Sequence, residues 1–216
     1  MRNLYQDEIR RLDHEVLRMG AVVEKALLEG IDALIRKNVP LAEELIRGDS
    51  VVNSLQLGLE DEIVTLIATE QPVARDLRRL VSMLKIVTNL ERMGDHAVHL
   101  AKAAIRFRDE EYVIPIEPLE RMGNLCVGMI HDVLTAFVNG DEKLARDIAG
   151  HDSAVDELHR DVTDRILEVM REDGRTVEQA ARLLLIARFL ERLGDHVTNI
   201  CEWIVFTETG KHVELN

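Results

Sequence analysis

The sequence predicts an all-α fold in which one three-helix unit is written twice, and three observations carry that reading. Hydrophobic residues make up 46% of the 216 but aromatics only 3%, a balance that suits long helices packed through Leu, Ile, Val and Ala and disfavours a β-sandwich. Only four prolines occur, and they fall between stretches of helical periodicity. Most telling, LERMGDHAVHLAK at residues 90–102 returns as LERLGDHVTNICEW at 190–203.

Taken in order, the first helix is expected from about Asn3 to Lys37, stopping before Asn38-Val39-Pro40. Pro40 suits the first turn of a second helix reaching about Thr69, and Pro72 in EQPVARDL opens a third that extends to about Phe107. RDEEYVIPIEP, with Pro115 and Pro118, cannot continue a helix. It reads as a linker over 110–118, between a first unit at 1–109 and a second at 119–216. The fourth helix runs from about Leu119 to Val138 and stops at Asn139 and Gly140; the fifth runs from about Asp141 to Arg171 and stops at Asp173 and Gly174. Thr176 and Gln179 form a candidate capping box for a sixth helix that reaches about Glu208.

The units align residue by residue. Arg18, Met19, Gly20, Ala33 and Asp49 match Arg121, Met122, Gly123, Ala136 and Asp152 at an offset of 103. In the third helix Leu84, Leu90, Glu91, Gly94, Asp95 and His96 match Leu184, Leu190, Glu191, Gly194, Asp195 and His196 at an offset of 100. The lost residues fall in a turn, where a length change costs little.

A net charge of −13 repels a phosphate backbone, which argues against direct nucleic-acid binding. Cys126 and Cys201 lack CxxC spacing and read as small core residues of a reducing compartment, pointing to the cytoplasm. MRNLYQDEIRRL does not read as a signal peptide, and no apolar run is long enough to span a bilayer. Membrane association is therefore expected only through partners.

The acids carry the chemistry. On a helical wheel Leu80, Leu84, Val87, Glu91, Asp95 and Val98 share one sector, so Glu91 and Asp95 interrupt a core stripe, as Glu191 and Asp195 do in the second unit. In the second helix Asp49, Val52, Asn53, Gln56 and Leu59 align, as do Asp152, Val155, Asp156, His159 and Val162. If each pair of helices forms an antiparallel hairpin turning near Gln71 or Gly174, Asn53 stands level with Glu91, Asp49 with Asp95, Asp156 with Glu191 and Asp152 with Asp195. Neighbouring buried carboxylates repel and need compensation. A hard or borderline cation supplies it, as in carboxylate-bridged helical bundles, so one metal site per unit is expected, with room for more than one ion.

The plainer reading is that arginines neutralise these acids, with Arg188, Lys102 and Arg160 as candidates, or that the acids lie at an exposed seam. Gly94 and Gly194 cost about 1 kcal/mol each relative to Ala in a helix, which close helix approach or room for an ion would explain. His96 and His196 fall on the polar sector and are expected at the surface or just behind the ligands, not as ligands themselves. His159 is better placed as a ligand, but the first unit has Gln56 there and His159 stays outside the candidate set. Where the first copy has Lys85, Asn89 and Ala103, the second has Leu185, Phe189 and Trp203, an extra apolar strip to be hidden against the other unit or used for docking.

With these features in view, QPVARDLR, ERMGDHAVHLA and ERLGDHVTNICE closely resemble the PhoU family of phosphate-signalling regulators, over essentially the whole chain. The resemblance implies two tandem three-helix bundles related by pseudo-twofold symmetry, with metal clusters held by paired ExxxD or DxxxD motifs. It carries iron or zinc as the expected ions, with manganese or magnesium behind them. The motifs match Glu91 with Asp95, Glu191 with Asp195, and Asp152 with Asp156. Asn53 replaces an acid in the first copy, which implies a weaker site or fewer ions there. The resemblance further implies a negative regulator of phosphate uptake and of the phosphate-starvation response. It would be a non-catalytic, dimeric adaptor at the inner face of the membrane, linking the ATPase subunit of a phosphate ABC transporter to a sensor histidine kinase. Two rivals stand beside it. A ferritin-like di-metal oxidase is disfavoured because neither ERMGDH nor ERLGDH contains ExxH; a metal-free helical scaffold would leave the acids solvated or ion-paired. No GxSxG or P-loop motif suggests a hydrolase.

Overall fold

A computed structural model describes the backbone of residues 2–215 and the side chains of residues 5–215. Among these residues the secondary structure is helical throughout: α1 (Arg2–Arg36), α2 (Val39–Glu70), α3 (Ala74–Arg106), α4 (Glu117–Asn139), α5 (Glu142–Gly150), α6 (Asp152–Glu172) and α7 (Val177–Thr209), with a 3₁₀ turn at Gly174–Thr176.

The punctuation has local causes. Lys37 turns left-handed at φ 54° and Asn38 caps α2 by accepting a hydrogen bond from the Leu41 amide at 3.2 Å. Asp141 does the same for α5 through the Leu144 amide at 2.9 Å, one residue after Gly140 ends α4 at φ 61°. The fifth helix expected from the sequence is interrupted at His151. There the amide turns back to the Ile148 carbonyl, and Ser153 Oγ donates to the Gly150 carbonyl, so α5 and α6 meet at a tightened turn. That turn places Asp152 at the N-terminus of α6, where the helix dipole favours a negative charge. The capping box does not form. Thr176 Oγ1 donates to the Asp173 and Val169 carbonyls, and Gln179 instead holds the linker, accepting from the Val113 amide at 2.7 Å and donating to Glu111 O at 2.9 Å.

Within each unit three helices pack together, α5 and α6 counting as one broken helix, and one continuous apolar core runs through both units. Across the seam α1 lies on α4 and α3 on α7. The glycines of the repeat mark the twofold relation: a Cβ on Gly20 would lie 2.4 Å from Leu134 of α4, and a Cβ on Gly123 would lie 2.5 Å from Ile31 of α1. Since Gly20 and Ile31 correspond to Gly123 and Leu134, each unit drops one aliphatic side chain into the other's glycine notch. The central helices run antiparallel, pairing Ser82 with Thr207 at 2.8 Å and Asn89 with His196 at 2.9 Å.

This seam corrects the expectation for the histidines. His96 is buried, 7% exposed, and packs on Phe189, His99 and His196; burial, then the neighbouring His196 and His99, push its pKa down to about 3. The polar sector of α3 faces the other unit, so polarity on the wheel misidentified an interface as surface. Phe189 and Trp203 of the apolar strip lie half-buried at this seam, while Leu185 stays exposed.

Candidate metal centre

Each hairpin carries its acids to one level. In the second unit Asp152 is buried at the start of α6, and its carboxylate rests where a side chain on Gly194 would be: a Cβ there would stand 2.1 Å from Asp152 Oδ1. Gly194 therefore exists to admit a carboxylate, one residue before Asp195. In the first unit Gly94 meets Val52 instead, at 3.1 Å from its Cγ1. Asp49 lines a cavity of about 220 Å³ with Gly94 and Val98, which puts it level with Asp95.

The electrostatics show that these groups feel one another. Burial raises the pKa of Asp152 to about 6, with the charges of Asp156, Asp195 and Glu191 adding to it. Glu191 is raised by burial, then by Asp195 and Asp156, against the opposing pull of Arg188. Glu91 is raised by burial, then by Asp95, with Asp49 and Glu60 adding and Arg92 opposing. Burial and the neighbouring carboxylates act against ionisation and outweigh the arginines, as expected where carboxylates gather in a poorly hydrated place.

Arginines compensate in part. Arg188 pairs with Glu191, and Arg92 lies 3.5 Å from both Glu91 and Asp95. Both guanidinium groups are more than half exposed, so water screens these pairs and each contributes about 1 kcal/mol or less. Lys102 and Arg160 make no ion pair with the acids among the described residues. Glu191 Oε2 and Asn53 Oδ1 remain buried with no hydrogen-bond partner, and such orphaned acceptors cost roughly 1–3 kcal/mol each.

Asp49, Glu91 and Asp95 in one unit, and Asp152, Asp156, Glu191 and Asp195 in the other, thus act on one another with negative charge, while Asn53 stands one turn from Asp49 with its buried Oδ1 unpartnered. Among the described residues no three His, Cys, Asp or Glu side chains stand in a finished coordination shell. By donor type, burial and charge the sets suit a hard cation that draws the carboxylates together.

One contributor, Glu60, escaped the sequence reading, and another, His159, was named there as a ligand candidate but set aside. Glu60 acts on Glu91 and is steadied by Gln56, whose amide donates at 3.1 Å, so the first unit regains the acid that Asn53 removes. Its place one turn beyond Gln56, on the same helix face, was the available signal. His159 sits beside Asp156 and Asp195, its pKa lowered by burial and Arg188, leaving a neutral imidazole within the second cluster.

The comparisons with known proteins match this duplicated architecture. The PhoU domain family matches residues 16–104 and again 119–204. A phosphate-specific transport system accessory protein PhoU homolog of Clostridium acetobutylicum is 37% identical over 216 residues, covering 100% of this chain and 99% of the relative. The PhoU of Escherichia coli, under the same accessory-protein name, is 32% identical over 96% of this chain and 86% of its own length. The crystal structure of the phosphate transport system regulatory protein PhoU from Streptococcus pneumoniae superposes with a TM-score of 0.91 at 31% identity, covering 97% of this chain and 99% of that one. With the family matched in both units and relatives aligned from end to end, the chain belongs to the PhoU family.

Proposed function

We propose that this protein is a metal-binding negative regulator of phosphate uptake and of the phosphate-starvation response. It acts by contact between the ATPase subunit of the phosphate ABC transporter and the sensor histidine kinase, without chemical turnover. The phosphate assignment rests on end-to-end likeness to accessory and regulatory proteins of phosphate transport. The metal assignment rests on one observation: buried, mutually repelling carboxylates, twice, with acceptors left unpartnered. Iron and zinc suit the second site best, where His159 adds a nitrogen to the oxygens; manganese and magnesium suit an all-oxygen set. Among the described residues no helix is long and apolar enough to cross a membrane, which fits recruitment to the cytoplasmic membrane face through the transporter. A homodimer remains the expected assembly.

The test is metal content of protein purified without chelator, for the wild type, Asp95→Ala and Asp195→Ala, together with co-purification of the ATPase subunit and the kinase. Each substitution should lower the metal of its own unit. Equal, near-zero metal in all three would leave a metal-free adaptor. That second reading draws its support from the Arg188 and Arg92 contacts with the acids.

A further inference from the structure

We propose that the cleft between α3 and α7 beside Phe107 binds a phosphorylated organic anion of the nucleotide class, a site independent of the acidic clusters. The cleft has a volume of about 170 Å³, with His99, Lys102 and Arg106 on the α3 wall and Arg182, Leu185 and Phe189 on the α7 wall. In a chain of net charge −13, three cations at one small opening stand out. Lys102 and Arg106, one turn apart on α3, repel each other, and neither makes an ion pair among the described residues. Arg182 comes from the opposite wall over the Phe107 ring at 5.2 Å, steadied by Glu110 at 3.0 Å. Glu110, with the solvated Glu178 at 3.8 Å, offsets Arg182, so the charges of Lys102 and Arg106 remain for an incoming group, which matches the charge of a phosphate ester near neutral pH. Guanidinium groups bind phosphate oxygens through paired hydrogen bonds.

The rest of the lining is apolar, and that separates an organic phosphate from the bare ion. Phe189 is held flat against His99, with centroids 4.5 Å apart and planes 17° from parallel. Leu185 remains 58% exposed at the rim. A planar base fits such an edge, because apolar surface already fixed in place costs little order to cover.

The duplication supplies the control. At an offset of 100, Lys102, Ala103 and Arg106 become Glu202, Trp203 and Phe206. In that twin position Trp203 packs edge-on to Phe206, and His212 stacks on Phe206 at 4.2 Å. One end of the seam is thus filled with aromatic rings, with Lys85 already seated over Trp203 at 5.9 Å and Glu202 in the place of Lys102, whereas the other is left open by Ala103 and carries three cations.

The experiment is isothermal titration of the full chain with ADP and, separately, with inorganic phosphate, in chelator so that no ion held by the acidic clusters bridges the ligand. The wild type should bind one ADP per chain, with inorganic phosphate on the order of tenfold weaker. Lys102→Glu combined with Arg106→Glu should weaken ADP by on the order of tenfold or more, with the circular-dichroism melt lowered only slightly, because both residues are exposed and only the interaction of Arg106 with the end of α3 is lost. Ala103→Trp should close the cleft and abolish binding. No ADP binding at millimolar concentration overturns the proposal, as does inorganic phosphate binding as tightly as ADP, or full affinity in the charge-reversed variant. None of these results bears on the metal content of the acidic clusters.

Discussion

Asp152→Asn should stabilise the metal-free protein at neutral pH and destabilise the metal-loaded one. The sign follows from the direction of the pKa change. Asp152 titrates near 6 in the folded chain against an ordinary 3.8, so folding is favoured by its protonated form, and that advantage is lost as pH rises from the lower value through the upper. Across that window the ionised carboxylate costs about 3 kcal/mol. Asparagine keeps the shape that rests on Gly194 but carries no charge. It forgoes the helix-dipole interaction at the start of α6, about 0.3–1 kcal/mol. The net gain in chelator at about pH 7.5 is therefore ~2 kcal/mol, or roughly 4–8 °C in Tm for a chain of this size. The gain should shrink to about half near pH 4.5, where the folded wild type already holds the proton and only the unfolded chain ionises. Metal reverses the order. An ion at about a hundred times its Kd stabilises the wild type by ~2.7 kcal/mol, and the variant forgoes most of that. The assay is thermal unfolding by circular dichroism over a pH series, in chelator and in excess iron(II) or zinc. A variant less stable than the wild type in chelator at neutral pH would refute the claim that Asp152 is buried without compensation.

Gly194→Ala should be the more damaging of the glycine substitutions, because its Cβ would stand 2.1 Å from Asp152 Oδ1, whereas Gly94→Ala meets a Val52 methyl at 3.1 Å. The expected losses are about 2 kcal/mol against near zero, since helix propensity returns about 1 kcal/mol to each, measured by urea unfolding. Arg188→Ala should lower metal-free stability by about 1 kcal/mol or less at neutral pH, because the guanidinium is exposed; in saturating metal the loss should disappear. Gln179→Ala removes the hydrogen bonds that tie Val113 and Glu111 to α7. Amide exchange at residues 110–114 should then quicken at least severalfold, with global stability falling by ~1 kcal/mol.

Much of this fold was legible because helix periodicity and a duplicated motif are local signals. The ends of α1 and α4 sit within two residues of where Pro40 and Gly140 put them. The level pairing of acids was legible for a similar reason: two helices joined by a short turn have one register, and counting residues from the turn finds it. What escaped was long-range. The seam that buries His96 depends on which face of α3 meets α7, and a wheel ranks faces by polarity without knowing what covers them. His96 and His196 are polar, but Phe189 and Asn89 meet them there, so a polar stripe became an interface. The break at His151 escaped because Gly150 and His151 tighten a turn without any proline to announce it. Glu60 escaped although it falls between Asp49 and Asn53 on the wheel, because its counterpart in the second unit is Thr163, with no charge.

Duplication within one chain explains why the two kinds of site behave differently. A symmetric pair of separate subunits would be bound to present the same surface at both ends of the α3–α7 seam, since one sequence would serve both. Fusion removes that constraint. Gly20 with Leu134 and Gly123 with Ile31 keep the two notches alike, because packing at the α1–α4 contact punishes a change on either side. Both units also carry acids at corresponding places, and where the first has Asn53 opposite Asp156 of the second, Glu60 lies close enough to act on Glu91. The seam ends differ: aromatic rings fill one, and the other is an open cleft lined by Lys102, Arg106 and Arg182. Structural symmetry retained beside chemical symmetry lost is what a chain would show if its hairpins do the same work twice while the open cleft answers to a ligand the closed one never meets.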